Sequence, residues 1–224
     1  MIRHNTLKLI YTLLGLLLFV GQGAAGENVR YGVGARISGM NIGTTNFDTG
    51  DMGDIDAKFD NSMTLGLSLT GLYRDRFSLE MSLDQYETDL EVNHDSNSGV
   101  LGKFSQEVVL LTGRMHFRIN ERNGNFFLGG GAGYYNNGFN NLTRSKTEDF
   151  FALNLSSRVR DSYGMHLCAG AEYFFTRHIA LNFDVKMILN QARFTFTPHT
   201  SSAHAEKDVS LNASFIGIGL KYYF

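Results

Sequence analysis

Alternating apolar and polar residues run through the chain from residue 29 to residue 224. Eight segments place an apolar side chain at every second position, which is the period of a β-strand with one apolar face. Their approximate bounds are 29–38, 63–70, 77–84, 109–119, 128–134, 164–173, 179–189 and 216–224. This pattern predicts an all-β protein with eight strands.

Connections of two lengths separate these segments in strict alternation. The short ones are turns at about 74–76, 120–125 and 176–178. The long ones are polar stretches at about 43–60, 93–103, 136–161 and 190–208. Such alternation is expected of hairpins that have one end in the periplasm and the other outside the cell. Because lipid offers no hydrogen-bond partners, a sheet that crosses a bilayer must close on itself.

We therefore predict an eight-stranded antiparallel up-and-down transmembrane β-barrel. Aromatic residues near the strand ends would lie at the two membrane surfaces, with Phe and Tyr replacing the Trp that the chain lacks. These residues are Tyr31, Tyr73, Phe77, Phe126, Tyr134, Tyr173 and Phe174. A soluble periplasmic β-sandwich is the alternative fold, because its strands also alternate.

The beginning of the chain is typical of a secretory signal peptide. Arg3 and Lys8 precede an apolar run at 9–20, and small residues follow that run. We therefore assign residues 1–25 to a signal peptide and residues 26–224 to an outer-membrane β-barrel domain. An uncleaved anchor helix is the alternative, but the run is shorter than the ~20 residues that span a bilayer.

Composition and charge narrow the range of functions. The chain has 20 basic and 22 acidic residues, so no nucleic-acid partner is expected. Its single cysteine, Cys168, cannot form an internal disulfide, and we expect this side chain to pack. The acidic residues at 48–60 and the pair His199 and His204 match no strong metal motif. We therefore expect no cofactor and no bound metal.

The end of the chain resembles the C-terminal signal of bacterial outer-membrane β-barrels. Phe224 is the terminal aromatic residue, and Tyr222 and Leu220 precede it at every second position. The glycine-rich segment 126–135 is similar to the middle strands of small eight-stranded members of that family, of the OmpA, OmpX and opacity-protein type. The resemblance implies a location in the bacterial cell outer membrane. It also implies contact with outer-membrane lipid and lipopolysaccharide, and recognition of the last strand by the assembly machinery.

Charged residues on the opposite face of the strands would point into the barrel. An interior formed by eight strands is about wide enough to be filled by side chains, and a buried charge without a partner is costly. We therefore predict an ion-pair network that plugs the lumen, and a proton relay or ion path through the histidines is the alternative. The predicted members are Arg36, Glu80, Asp84, Arg114, His116, Arg118, His166, Glu172, Asp184, Lys186 and Lys221.

If the lumen is plugged, function is expected in the extracellular loops. The predicted protein is non-catalytic and mediates surface interaction, adhesion or envelope integrity, with an extracellular ligand or host surface as partner. A small-solute or ion channel of the OmpW kind is the first alternative. It requires a connected, hydrated lumen.

An enzyme is the second alternative, because the stretch 94–99 resembles a motif of lipid A deacylases. That resemblance would make Ser96 the nucleophile and His94 its base. The stretch lies in the second long connection, whereas the motif lies in a late strand of that family. Its composition is also ordinary for a turn. We therefore expect no catalytic activity.

Overall fold

The computed structural model describes residues 28–43, 45–48, 54–94, 97–119, 123–141, 155–198 and 205–224. The predicted signal peptide lies outside these residues. Within them, no helix has the length and apolar composition needed to cross a bilayer. The strands are β1 (Val29–Ile42), β2 (Thr45–Asp48), β3 (Asp54–Phe59), β4 (Ser62–Tyr73), β5 (Phe77–His94), β6 (Asn97–Arg118), β7 (Gly124–Asn141), β8 (Leu155–Val159), β9 (Ser162–Phe174), β10 (Ile179–Pro198), β11 (Ala205–Ser210) and β12 (Ala213–Tyr223).

Eight of these strands form a closed antiparallel barrel, which confirms the predicted fold class. The barrel strands are β1, β4, β5, β6, β7, β9, β10 and β12. Each is hydrogen-bonded to the next, and β1 closes the barrel against β12, with Ile37 opposite Ile218. The four short strands lie at the opposite end from the short turns. There β3 pairs with β5, β2 pairs with β3, and both β8 and β11 pair with β10.

Several barrel strands are longer than the sequence predicts. β5 continues to His94 and β6 begins at Asn97, through residues expected to form a long polar connection. β10 likewise continues to Pro198. The prediction was wrong there because the outward side chains become polar while the inward ones become apolar. The strand therefore persists after the expected pattern ends.

Short turns close the barrel at its periplasmic end. Between β4 and β5, Arg74 and Asp75 have φ angles of 49° and 54°. Positive φ at both central residues is the mark of a type I′ turn, whose twist matches that of a hairpin. Phe224 lies at the same end, where its backbone N–H donates to the carbonyl oxygen of Tyr31 at 2.9 Å. The long connections therefore lie at the extracellular end.

The outer face of the lower and middle barrel is a belt of exposed apolar side chains. Met63 and Leu67, for example, are 72% and 49% exposed. An apolar surface this large is stable only in contact with lipid, and we call it the lipid belt. Most of the predicted aromatic residues lie on it, but Phe174 faces inward and packs against Tyr223 with ring centroids 5.6 Å apart. Phe174 was predicted wrongly because the adjacent residue, Tyr173, occupies the outward position.

Beyond the lipid belt the two faces of the sheet exchange polarity. On β5, outward Glu87 alternates with inward Tyr86 and Leu90, and on β10 outward Arg193 alternates with inward Phe194. This part of the barrel has apolar side chains inside and charges outside, as in a soluble barrel. Its buried cluster, here called the apolar interior, consists of Met40, Ile42, Phe59, Tyr86, Leu90, Phe104, Val108, Leu110, Tyr135, Val159, Ile188, Ala192, Phe194, Val209, Leu211, Ala213 and Phe215.

Candidate functional site

The barrel interior is divided into layers along its axis. Below the apolar interior lies a set of buried charged residues, here called the charge layer. It contains four carboxylates and four fixed cations, which balance each other in formal charge. The members are Arg36, Glu80, Asp84, Arg114, Glu172, Asp184, Lys186 and Lys221.

Two glutamates share one lysine at the centre of the charge layer. The Lys221 Nζ atom lies 2.6 Å from Glu172 Oε1 and 2.9 Å from Glu80 Oε2. Arg114 Nη2 donates to Glu80 Oε1 at 2.5 Å, and the Arg114 guanidinium lies 4.5 Å from the centre of the Phe127 ring. These four charged groups come from four different barrel strands, so their contacts link the walls of the barrel. Such contacts offset the cost of removing the charges from water.

A second group of ion pairs surrounds Arg36. Its guanidinium is bound by Asp84 and also donates to Ser82 Oγ at 3.2 Å. Asp184 Oδ2 lies 3.7 Å from Arg36 Nη1, and Asn182 Nδ2 donates to Asp184 Oδ1 at 3.2 Å. The two groups meet because Glu80 lies 3.7 Å from Arg36 Nη1. Seven of the eight charges therefore form one connected network.

Lys186 and the two inward histidines lie apart from these ion pairs. Among the described residues, no carboxylate oxygen lies within 4.0 Å of the Lys186 ammonium, although this side chain is buried. His116 Nε2 lies 2.8 Å from Ser78 Oγ, and His166 Nε2 lies 2.9 Å from Thr112 Oγ1. The hydrogen bonds of the two histidines therefore lead to separate hydroxyl groups on the barrel wall.

Glycines on β7 lie against bulky inward side chains of the neighbouring strands. A Cβ atom at Gly129 would lie 2.9 Å from Arg114 Cγ, and one at Gly131 would lie 3.0 Å from His166 Cε1. The backbone carbonyl oxygens of Gly113 and Leu111 would lie closer still, so a larger residue at either position would displace the neighbouring backbone as well as these side chains. The glycine-rich strand β7 thus permits charged side chains from its neighbours to cross the lumen.

An aromatic floor closes the lumen below the charge layer. Leu72, Ala180 and Tyr223 are buried there, and Phe174 packs against them. The Tyr223 hydroxyl donates to Glu172 Oε1 at 3.3 Å, which connects the floor to the charge layer. Sequence reasoning missed this layer, although Tyr223 shares its strand face with Lys221. The charge layer thus lies between the apolar interior above it and the aromatic floor below it.

Comparison with known proteins identifies the family. A family model described as outer membrane protein beta-barrel domain matches residues 11–224. The chain belongs to this family. It is a small eight-stranded barrel of the bacterial outer membrane, as the end of its sequence suggested.

Solved structures of outer membrane barrels have the same fold. The outer membrane protein OprG from Pseudomonas aeruginosa superposes with a TM-score of 0.72 at 17% identity, over 88% of this chain and 96% of that one. AlkL, determined in DMPC lipid bilayers, gives 0.67 at 17% identity, over 91% and 93% of the two chains. Neisserial surface protein A gives 0.50 at 13% identity, over 87% and 97%. No curated protein sequence matches the chain. At these identities the likeness concerns the fold alone.

In this outer membrane barrel, Arg118 lies outside the predicted network. Its side chain is 69% exposed and its Nη2 atom donates to Asp75 Oδ2 at 3.0 Å, at the periplasmic mouth. Arg118 has the inward register that the alternation predicts, but it is the last residue of β6. Its side chain therefore lies at the rim of the barrel and not inside the lumen. The prediction was wrong because alternation along a strand indicates whether a side chain points inward or outward, but not where it lies along the barrel axis.

A groove of about 1150 Å³ crosses the outer face of the barrel where the charge layer meets the apolar interior. Outward residues line it, including Ala35, Leu67 and Val109. Its lining also includes Asp84 of the charge layer and Val108 of the apolar interior, so the groove borders both layers. In the membrane, lipid chains have access to this part of the wall.

Some of the predicted site residues lie outside the part of the chain that the structure describes. The side chain of His94 and residue Ser96 are outside the described residues, as are the side chains at 48–57 and residues His199 and His204. Phe224, Tyr222 and Leu220 are half-exposed on the outer face, where their proposed recognition during assembly stays a prediction. Within the described part of the chain, no group of three His, Cys, Asp or Glu residues could hold a metal ion.

Proposed function

We propose that this barrel admits small apolar molecules from the cell exterior into the outer membrane, without catalysis and without conducting ions. The observation that supports this proposal is the order of the layers. The apolar interior occupies the extracellular part of the barrel, and the charge layer lies beneath it. An apolar molecule that enters from outside therefore contacts mainly apolar side chains before it reaches the charges.

The charge layer favours an exit through the wall over passage into the periplasm. An apolar molecule that moved further down would separate pairs such as Arg114 and Glu80. Leaving either charge buried without its partner costs several kcal/mol. The outer groove lies at the same level and opens to lipid, which offers an apolar destination without that cost.

Entry requires movement of side chains within the apolar interior. Phe104 is fully buried, and its ring lies 5.4 Å from that of Phe59 and 6.5 Å from that of Phe194. The interior is therefore packed, and an entering molecule would replace contacts between these rings by contacts with itself. Removing a ring should ease entry, and adding one should hinder it.

Uptake of a small apolar dye, N-phenylnaphthylamine, by intact cells tests the proposal. Phe104→Ala is expected to speed uptake several-fold, because it opens space in the apolar interior. Ala192→Phe is expected to slow it, because Ala192 is buried there. Gln191→Phe is the matched control, because residue 191 faces outward on the same strand and is expected to leave the rate unchanged. Equal rates in all four proteins, at equal amounts of folded barrel, contradict the proposal.

Surface interaction is the second candidate function, supported by the extension of the barrel beyond the lipid belt. Outward ion pairs link its strands: Arg193 Nε donates to Asp208 Oδ1 at 2.8 Å, and Lys103 Nζ to Glu87 Oε1 at 2.9 Å. Such a platform suits loops that bind an extracellular ligand or lipopolysaccharide. Binding assays on whole cells that carry single-loop deletions test it, and undiminished binding in every deletion contradicts it.

Catalysis is tested separately. Lipid A from cells that express the wild-type protein and the Ser96→Ala variant is expected to carry the same acyl chains by mass spectrometry. Loss of an acyl chain with the wild type alone would assign a deacylase activity and overturn the non-catalytic part of the proposal.

A further inference from the structure

A pocket of about 650 Å³ opens to the periplasm at the lower mouth of the barrel. The aromatic floor, with Phe174, separates it from the charge layer and from the path proposed above. Its polar and charged lining includes Arg30, Asp75, Arg118, Asn125, Thr176 and Arg177. The volume lies in the range of small-molecule binding sites, roughly 300–1,000 Å³.

Positive charge predominates in this pocket. Among the described residues, three guanidinium groups line it, together with the carboxylate of Asp75. Arg30 Nη2 lies 2.5 Å from Asp75 Oδ1, and Arg118 Nη2 lies 3.0 Å from Asp75 Oδ2, so one carboxylate is shared by two arginines. Among the described residues, Arg177 has no carboxylate oxygen within 4.0 Å. The lining therefore has an excess of positive charge that an anionic ligand would neutralise.

Arg30 is held in place before any ligand arrives. Its guanidinium carbon lies 5.2 Å from the centre of the Phe174 ring and 5.4 Å from that of Tyr223. Its Nη1 atom donates to the carbonyl oxygen of Arg177 at 3.3 Å. Stacking on two rings and fixed hydrogen bonds reduce the side-chain entropy that binding would otherwise cost.

The turn that carries Asp75 is strained for its sequence. Arg74 and Asp75 both have positive φ, in a turn type that favours glycine and asparagine. Aspartate tolerates this conformation, whereas arginine rarely adopts it, so Arg74 is the strained residue of the turn. In return, the turn places Asp75 where it bridges Arg30 on β1 and Arg118 on β6.

We infer that this pocket binds a short acidic peptide from the periplasm. The arginines of the pocket would bind the free carboxylates of the peptide. Arginines form paired, charge-assisted hydrogen bonds with carboxylates, and the Asn125 side-chain amide can pair with a peptide group. The Thr176 hydroxyl accepts from the backbone N–H groups of His178 and Ile179 and can still donate to a ligand. A lipid headgroup fits less well, because the pocket lies inside the ring of strands. The surface that faces lipid at this level carries Tyr73, Phe77 and Tyr173 instead.

Binding to the barrel in lipid nanodiscs, measured by titration calorimetry, tests the inference. The probes are a synthetic tripeptide with two free carboxylates, the same tripeptide with both carboxylates amidated, and inorganic phosphate. The acidic tripeptide is expected to bind at least tenfold more tightly than either of the others. An amidated peptide that binds equally well, or phosphate that binds as tightly, overturns the inference.

The double variant Arg118→Gln with Arg177→Gln identifies the site. It is expected to weaken binding of the acidic tripeptide by tenfold or more, because it removes two of the three guanidinium groups. Arg193→Gln is the matched control, since Arg193 is an exposed, ion-paired arginine at the opposite end of the barrel. Equal loss of affinity in both proteins would indicate general charge attraction and overturn the inference. Since Arg118 is mostly exposed, the double variant is expected to fold, and a heat-modifiable gel shift checks this.

Discussion

At the scale of single residues, Lys221 has the largest predicted effect on stability. It is the cation that lies between Glu80 and Glu172, and all three side chains are buried. Removing one member of a buried ion pair leaves its partner without compensation, which costs more than the pair itself contributes. The charge layer is therefore expected to tolerate paired replacements better than single ones.

We predict that Lys221→Met lowers the free energy of unfolding by about 3–5 kcal/mol. Urea titration of the barrel in lipid vesicles measures this change. Lys103→Met is the matched control, because Lys103 forms an exposed ion pair with Glu87, and it should change the stability little. Equal stability of the two variants would show that the charge layer is hydrated.

The pKa of Asp208 tests the ion pair with Arg193, which lies on the extracellular part of the barrel beyond the lipid belt. The hydrogen bond from Arg193 lowers the pKa of the Asp208 carboxyl group below its ordinary value. Because the pKa is lowered, the ion pair stabilises the folded state at pH values above the ordinary pKa of a carboxyl group. This contribution is lost as the pH falls through the lowered pKa. Carboxyl-carbon NMR is expected to show the pKa rising toward its ordinary value in Arg193→Gln. An unchanged pKa would contradict the ion pair.

At the scale of elements, the extracellular ends of the strands behave as a water-soluble barrel. Phe194 on β10 is buried and stacks with Phe104 on β6. The same end of β10 pairs with β8 and β11, with Phe194 opposite Val159 and Lys207. Packing of the apolar interior therefore holds the short strands to the barrel.

Phe194→Ala is predicted to destabilise this region by about 3 kcal/mol through the cavity that it leaves. Hydrogen exchange should accelerate in β8 and β11, while exchange in the membrane-spanning part of β12 stays unchanged. Gln191→Ala, an outward change on the same strand, should leave both regions protected. Uniform acceleration along the whole barrel would contradict a separately packed extension.

Alternation in the sequence was enough to predict the eight barrel strands, their faces and the short turns. It was not enough for the extracellular ends of β5, β6 and β10, because there the apolar side chains lie on the inward face and no longer on the outward one. Tyr86 and Leu90 share the inward face of Asp84. The exchange of polarity can therefore be recognised in the sequence if the outer face of a strand is expected to contact lipid in one part and water in another. The depth of Arg118 and the partners of Lys221 depend on the stagger between strands, which a single sequence does not specify.

At the scale of the whole molecule, the closed barrel and its layers predict no open aqueous path. We expect planar bilayers with the wild-type protein to show no steady single-channel steps. Neutralising Glu80 and Arg114 together, as Glu80→Gln with Arg114→Gln, should loosen the charge layer that seals the lumen and allow intermittent current. Arg118→Gln, at the mouth, is the control and should behave as the wild type. Steady conductance of the wild type would contradict the seal.

The exchange of polarity along the strands also fixes the vertical position of the protein in the membrane. A shift by one pleat, roughly 6–7 Å, would carry Glu87 and its neighbours toward hydrocarbon or expose the lower belt to water. The molecule therefore cannot slide to match a thicker or thinner bilayer. It has to tilt, or the surrounding lipid has to stretch or compress, at a cost that rises with each ångström of mismatch. Lipid composition should consequently affect where this protein accumulates in the envelope.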